Sequence, residues 1–298
     1  MQWFQAKEKS AGKKRLILTY YIYLIFGKKA VYIIAFFVSF FTFLFSSEIR
    51  NYSKKYFSVI SKFVSIQPSL INQYKQIYSY ACSLVDKMIM YSGGLNSDDI
   101  IFENETDKQI LFNDIAKQKG ICFIFSHIGN IEILQSFFQK QKVFPNLGIN
   151  VFLNKKQTKI FNDFLDAIKK PMPIKYIIAE DFDAAGIIQL KDNIDKGEVI
   201  FIAGDRISQN NSSRIITTTM FNHKINLPQG TFRLAKLLEC PIYFICAIKR
   251  KDGKYGIIIK KNEEKDIAEN YKKYMEGIII EYPFQFYHFY DFFRNYNE

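Results

Sequence analysis

The sequence predicts an α/β fold: a mixed sheet with helices on both faces, preceded by an N-terminal membrane-associated helical segment. Over about residues 105–262, short and continuously apolar runs alternate with longer amphipathic stretches. Such runs are typical of strands buried on both faces, which need helices on either side. An uncharged stretch of eighteen residues at 30–47 predicts the membrane-associated segment.

The first fifty residues combine positive charge with apolar length. The formal net charge is +12, and residues 1–62 hold eleven Lys or Arg but only two acidic residues. The run at 30–47 would span about 27 Å as a helix, which is borderline for a bilayer core, and the run at 16–27 is too short to cross alone. We therefore expect a membrane-anchoring segment at 1–50 and a second domain at 51–298, and leave open whether the anchor spans the bilayer or lies in its interface.

Two other interpretations of this segment are disfavoured. A secretory signal peptide would carry a small-residue cleavage site after the apolar run, and none follows. Nucleic-acid binding does not need an apolar stretch of this length, so the basic charge favours a membrane surface instead.

The second domain is predicted as a helical lead-in, an α/β core and a tail. The lead-in covers 52–91 with a break near Pro68, and the helical aromatic tail covers 266–298. Strands are predicted at 121–125, 148–153, 174–178, 199–203, 214–221, 242–248 and 255–260, and helices at 131–140, 155–169, 183–196 and 230–239.

His127 is the strongest catalytic candidate in the stretch "FSHIGNIE" (125–132), because it follows a buried strand and sites in α/β sheets lie at the carboxyl ends of strands. If His127 lies in a loop and Glu132 in the first helical turn, the carboxylate can fold back, fix the tautomer of the imidazole and stabilise its protonated form. Ser126 is a poor nucleophile, since strand neighbours point to opposite faces. The spacing alone equally allows a structural pair, in which the histidine bonds a backbone carbonyl and Glu132 caps the helix.

Four segments, in order, resemble the bacterial lipid A late acyltransferase family of the lysophospholipid acyltransferase superfamily, and within it the predicted-acyltransferase branch. They are "HIGNIE" (127–132), "GEVIFIAGDR" (197–206), "FNHKINLPQGTFRLAKLLECPIYFI" (221–245) and the aromatic, Pro-x-Gln-containing "EYPFQFYHFYDFF" (281–293). The likeness extends over nearly the whole chain. The glycerol-phosphate branch has F-P-E-G-T-R where this chain has "FIAGDR", which puts a glycerolipid acceptor in doubt.

The resemblance implies transfer of a fatty acyl group from an acyl carrier protein or coenzyme A thioester to a hydroxyl of a membrane lipid or glycolipid. It places the protein at the bacterial inner membrane with its catalytic domain on the cytoplasmic face. His127 would be the general base and Glu132 its orienter, with no cofactor beyond the acyl donor. Arg206 would bind an anionic headgroup or the developing oxyanion. The implied substrate-binding residues are Gly129, Asn130, Gly204, Asp205 and Arg206.

Other residues carry weaker expectations. His223, in a predicted hairpin turn, and His288, in the tail, are not predicted to be catalytic, and three scattered histidines and four cysteines without ligand spacing predict no metal site. The cysteines are expected to be reduced thiols. Residues 281–293 hold eight Phe or Tyr, so some are expected to meet lipid, acyl chain or a partner, the alternative being a tail packed over the sheet. Two other functions stay open: a non-catalytic lipid-binding homologue, and a thioester hydrolase using the same histidine and glutamate.

Overall fold

The computed structural model describes residues 13–134, 137, 144, 146–153, 159–168, 174–179, 182–207 and 214–293. Within these ranges the helices are α1 Lys13–Phe45, α2 Ser47–Ile60, α3 Leu70–Tyr91, α4 Glu105–Ala116, α5 Lys159–Ile168, α6 Ala184–Asp195, α7 Gln229–Leu237 and α8 Ile267–Glu281. The strands are β1 Ile100–Phe102, β2 Ile121–Gly129, β3 Ile149–Leu153, β4 Ile174–Ile178, β5 Val199–Ala203, β6 Ile215–Met220, β7 His223–Pro228, β8 Ile242–Lys249 and β9 Tyr255–Lys261. Most of the helix predicted at 131–140 lies outside the described residues.

Seven strands form one mixed sheet in the order β1-β9-β8-β2-β5-β3-β4, and β6 and β7 form a separate hairpin. Only β8 and β9 pair antiparallel within the seven-stranded sheet. The prediction of an α/β fold with a mixed sheet is confirmed. The central strand β2 lies between β8 and β5, so both of its edges are paired, and its side chains from Ile121 to Ser126 are all buried.

Two apolar layers cover the sheet, because successive residues of a strand point to opposite faces. Cys122 and Ile124 pack in the layer that includes α2, α6, α7 and α8. Phe123 and Phe125 pack in the layer that includes α1, α3, α4 and α5. The continuously apolar runs of the sequence are explained by this two-sided burial.

The structure differs from the predicted elements at the end of β2. This strand continues to Gly129, so His127 lies within its last residues and not in a loop. The register against β8 shifts between Phe125 and Gly129. Ile128, which is fully buried, forms an isolated bridge with Phe286 of the tail, and this pairing keeps the chain extended where the His and Gly suggested a loop.

The N-terminal helix is interrupted at Gly27, whose φ of +76° and ψ of −172° are not helical. Beyond it, Val31, Ala35 and Ser39 recur every four residues and are buried. This stripe lies on the side of α1 that packs against α3. Residues Lys14–Phe45 are the one described segment that is long and apolar enough to cross a membrane, a test that soluble core helices and signal sequences also pass.

A buried polar cluster fixes α1 to the sheet. Lys249 of β8 lies 2.6 Å from the carboxylate of Asp86 on α3 and donates to the hydroxyl of Tyr32 on α1 over 2.8 Å. Tyr32 also donates to Asp86, as does Tyr255 of β9 over 2.5 Å. One buried carboxylate thus joins both helices to two strands, and its charge is paired as burial requires.

The aromatic tail is mostly part of the core. The helix ends at Glu281, before Pro283, and residues 283–285 form a single 3₁₀ turn. Phe286, Tyr287, Phe292 and Phe293 are buried, and none of the eight aromatic side chains at 281–293 is among the exposed ones. These four are packed as in the alternative of a tail covering the sheet, and the expectation that some of the eight meet lipid, acyl chain or a partner remains a prediction for the half-buried Tyr282, Phe284, Phe289 and Tyr290. The helical prediction for 266–298 is wrong for 286–293, and residues 294–298 lie outside the described residues.

Candidate active site

The ends of β2 and β5 lie side by side, because these strands pair in parallel with Phe125 opposite Ala203. Gly204 donates its backbone N–H to the carbonyl of Phe125 over 2.9 Å, which continues the pairing one residue further. A Cβ at Gly204 would lie 2.6 Å from the Tyr271 ring and 2.7 Å from Ile124. Glycine is thus required where the backbone at 204 approaches Tyr271 and Ile124. The two residues that follow it, Asp205 and Arg206, therefore lie beside the end of β2.

The carboxylate of Asp205 holds His127 through both of its oxygens. Oδ2 accepts the backbone N–H of His127 over 2.6 Å, and Oδ1 lies 2.9 Å from its Nδ1. An ionised carboxylate can only accept, so Nδ1 carries the proton and Nε2 of the neutral ring keeps its lone pair. The His127 side chain is 26% exposed whereas that of Asp205 is fully buried. Nε2 forms no hydrogen bond with any described residue, so the basic nitrogen is the one left available.

Asp205 is thereby excluded from direct contact with substrate, although the resemblance implied substrate binding. Burial favours the neutral form of this carboxyl, but its interactions with His127 and His288 outweigh that effect, so its pKa lies well below the usual range. The group is a buried, ionised acceptor. Its chemistry is that of an orienting carboxylate in a histidine–carboxylate pair.

Glu132 forms a different contact from the expected one. Its carboxylate pairs with the ammonium of Lys87 on α3. Burial opposes its ionisation, but the Lys87 charge and hydrogen bond outweigh this and lower the pKa of Glu132. The negative charge also raises the pKa of His127, so the two groups are near each other, yet the hydrogen bond to the imidazole comes from Asp205. A carboxylate does hold the imidazole of His127, as the sequence predicted, but it belongs to Asp205 and not to Glu132.

Gly129 and Asn130 shape the end of β2. Gly129 has a φ of +71°, and a Cβ there would lie 2.1 Å from the carbonyl oxygen of Ala247, so no other residue fits. Asn130 donates its backbone N–H to the same carbonyl over 2.7 Å, and its side chain donates to the carbonyl of Ser83 on α3 over 3.0 Å. Asn130 is buried. These contacts give both residues a part in shaping the end of β2, whereas the substrate-binding role that the resemblance implies for Asn130 does not fit its buried side chain.

Arg206 is half-buried beside the two histidines. Burial lowers the pKa of His127, and the positive charge of Arg206 lowers it further, against the opposing effects of Asp205 and Glu132. The same guanidinium charge lowers the pKa of His288. A cation at this edge therefore keeps the imidazole of His127 neutral and is positioned near any negative charge that forms there.

Two functional side chains were missed in the sequence. His288 is buried, its Nε2 lies 3.0 Å from Oδ2 of Asp205, and burial lowers its pKa to about 4. Lys87, on the helical lead-in, neutralises Glu132. Gln285, three residues before His288, docks the tail onto β8, because its side-chain amide bonds both the N–H and the C=O of Lys249 over 2.8 Å; no pattern in the sequence reports this docking.

Comparison of the sequence with known protein families and with curated proteins finds no match. Within the described ranges, no three His, Cys, Asp or Glu side chains are grouped so that they could hold a metal ion.

Proposed function

We propose that the protein is a membrane-associated O-acyltransferase that moves a fatty acyl group from an acyl carrier protein or coenzyme A thioester to a hydroxyl of a lipid or glycolipid. One observation carries this proposal: a neutral, partly exposed imidazole whose Nδ1–H is held by a buried carboxylate. That arrangement suits removal of a proton from a hydroxyl. The four-segment resemblance, with the histidine in its expected box, supplies the class of substrates.

The residues present support a direct transfer without an acyl-enzyme. Nε2 of His127 takes the proton of the acceptor hydroxyl as its oxygen attacks the thioester carbonyl. The tetrahedral oxyanion forms near Arg206, whose positive charge stabilises it. When the carbon–sulfur bond breaks, the proton on Nε2 passes to the departing thiolate, and the base is regenerated. Ser126, the neighbouring hydroxyl, is fully buried and is given no part in this scheme.

The attachment to the membrane is proposed to be interfacial. Beyond Gly27, α1 packs along α3, which carries the charged residues Lys75, Asp86 and Lys87. If α1 crossed the bilayer, α3 would have to enter the hydrocarbon with it, and burying these charges there is costly. The rest of the α1 surface exposes large apolar side chains. A helix with one face on its own domain and an apolar face outward suits the plane of the membrane interface. The exposed set is Ile33, Phe36, Phe37, Val38, Phe40, Phe41, Leu44 and Phe45. We assign this interface to the cytoplasmic face of a bacterial inner membrane, which is what the resemblance implies.

The test is an acyl-transfer assay with the full-length protein in mixed micelles. Long-chain acyl-coenzyme A or acyl carrier protein is supplied with a total bacterial lipid extract, and free thiol and acylated lipid are measured separately by colorimetry and mass spectrometry. The expected result is thiol release that depends on added lipid and matches the ester formed. His127→Ala should lower the rate by a factor on the order of 10²–10⁴, with the melting temperature and membrane partition unchanged.

The two alternatives give different results in the same assay. Thiol release at an equal rate without acceptor lipid would identify a thioester hydrolase. Lipid binding without thiol release, unaffected by His127→Ala, would identify a non-catalytic lipid-binding protein. Either outcome would refute the acyltransferase proposal.

A further inference from the structure

His288 meets the buried carboxylate of Asp205 close to His127. Its Nε2 lies 3.0 Å from Oδ2, the oxygen that also accepts the backbone N–H of His127, while Oδ1 lies 2.9 Å from Nδ1 of His127. The two imidazole rings have centroids 6.3 Å apart and are nearly perpendicular, at 83°. Asp205 therefore contacts both imidazoles, and the two rings lie close to each other around its carboxylate.

The position of His288 is fixed from several directions. Its ring stacks on Phe286 with centroids 4.1 Å apart and planes 10° apart, and it meets Phe292 at 4.8 Å. The chain just before it is anchored as well, since Gln76 of α3 donates to the carbonyl of Phe286 over 2.7 Å and Ser79 lies 2.8 Å from the hydroxyl of Tyr287. An imidazole held this firmly can set the position of what it contacts.

Burial of the ring decides its protonation state. The side chain of His288 is fully buried, as is that of Asp205, and the pKa of His288 falls to about 4. At neutral pH the ring is uncharged. Neither ring nitrogen makes a hydrogen bond of standard geometry with a described residue, and Oδ2 of Asp205 lies 3.0 Å from Nε2, so a proton on Nε2 is what would let the ring donate to this ionised carboxylate. Other charged or titratable groups that act on Asp205 or His288 are Arg206, Tyr271 and Tyr290, besides His127 itself.

We propose that His288 is a positioning residue, which donates from Nε2 to Oδ2 of Asp205 and so keeps the other carboxylate oxygen directed at Nδ1 of His127. This inference rests on the proposed function only for its effect on rate. A carboxylate that is held at both oxygens cannot rotate away from the imidazole, so the His127 tautomer with a basic Nε2 stays fixed. The tail of the chain would in this way support a base located on the central strand.

The experiment uses the chain's three histidines, labelled with ¹⁵N, in the full-length protein in detergent micelles. Their ring nitrogens report directly which nitrogen carries the proton, and His223→Ala and His127→Ala assign the signals. The wild type should show His288 protonated at Nε2 and His127 protonated at Nδ1. His288 found protonated at Nδ1 instead would overturn the proposal without any variant.

Two substitutions separate the hydrogen bond from the packing. His288→Phe keeps an aromatic ring on Phe286 but removes the donor, and His288→Gln keeps a donor near the place of Nε2. We expect His288→Phe to mix the two tautomers of His127 and to lower kcat about 10- to 100-fold, the range common for groups that orient active-site histidines. His288→Gln should restore the single tautomer and bring kcat to within about threefold of wild type.

The outcomes separate the inference from the proposed function. A folded His288→Phe variant whose His127 signals and kcat equal those of wild type would overturn the positioning role. If no acyl transfer is found for any form but the His127 tautomer depends on the donor at 288 as expected, the positioning role is supported and the acyltransferase proposal fails.

Discussion

Which carboxylate orients His127 can be decided by comparing Asp205→Asn with Glu132→Gln. Asp205 accepts from Nδ1 of His127 at 2.9 Å and from its backbone N–H at 2.6 Å, and it also faces Nε2 of His288 at 3.0 Å. An asparagine offers one oxygen in place of two, so at least one of these donors would face an NH₂ group. If that donor is Nδ1, the imidazole must move its proton to Nε2, and the base is lost.

The expected loss follows from this change of tautomer. We expect Asp205→Asn to lower kcat by a factor on the order of 10²–10⁴, which corresponds to about 3–5 kcal/mol of barrier. Glu132→Gln keeps the shape of the side chain and changes mainly the pairing of Lys87, so its kcat should fall less than about tenfold. The assay is initial acyl transfer at saturating donor and acceptor, with thermal melts as the control for folding.

The pH profile adds a second measurement. Burial and Arg206 lower the pKa of His127 from its ordinary 6.5, so kcat/KM of the wild type should begin to fall only below about pH 6.5 as the base becomes protonated. The reasoning is refuted if Glu132→Gln loses as much activity as Asp205→Asn, or if Asp205→Asn retains most of its activity. The first result would restore Glu132 as an orienting residue, and the second would remove Asp205 from that role.

Three further predictions concern the charge of Arg206, the aromatic residues of the tail and of α1, and the pH dependence of stability. Arg206→Lys keeps the charge but not the planar donor, so it should lose activity, and Arg206→Ala should lose more, about 2–4 kcal/mol in kcat/KM, with little change in melting temperature; equal rates would exclude Arg206 from the site. Phe293→Ser, at a buried position, should lower the free energy of unfolding by about 3 kcal/mol and leave membrane partition unchanged. The double variant Phe41→Ser with Phe45→Ser, at exposed positions, should release the protein from liposomes in a flotation assay with little loss of stability. The reverse pattern would make the tail the anchor. The folded-state pKa of His288 lies near 4, below the ordinary 6.5, so the free energy of unfolding should fall as the pH drops from 6.5 towards 4. Measured by urea unfolding, this fall should be steeper in the wild type than in His288→Phe, by up to about 1.4 kcal/mol per pH unit.

The architecture was predictable because burial on two faces leaves a plain mark in the sequence. The runs Ile121–Phe125 and Val199–Ala203 belong to the two strands that meet at the site, and both were identified. The second has its predicted ends, whereas the first continues four residues further, to Gly129. Their pairing, with Phe125 opposite Ala203, brings the segment that carries Arg206 beside the His127 segment. The edge strand Ile100–Phe102 was missed because three residues are too few for any periodicity to be recognised.

The choice of carboxylate was harder, because sequence distance and contact distance are unrelated across a parallel sheet. Glu132 is five residues from His127 and suggests a pair by proximity along the chain, but it reaches Lys87. Asp205 lies far along the sequence, yet it follows Ala203 by two residues, as His127 follows Phe125 by two. Once the strands are known to be neighbours with Phe125 opposite Ala203, that equal offset places the two residues side by side. The contact was therefore implicit in the sequence, but only after the register had been fixed.

The contribution of the tail depends on packing that no local pattern reports. Gln285 continues the hydrogen bonding of β8 by binding both backbone groups of Lys249, and this docking brings His288 to Asp205. An aromatic-rich segment suggests an exposed apolar surface, since its sequence gives no sign of which rings are covered. The burial of Phe286 and Phe292 around His288 reverses that interpretation. The aromatic residues of the tail exclude water from a polar contact between a histidine and a carboxylate, so they serve the candidate site from within the core.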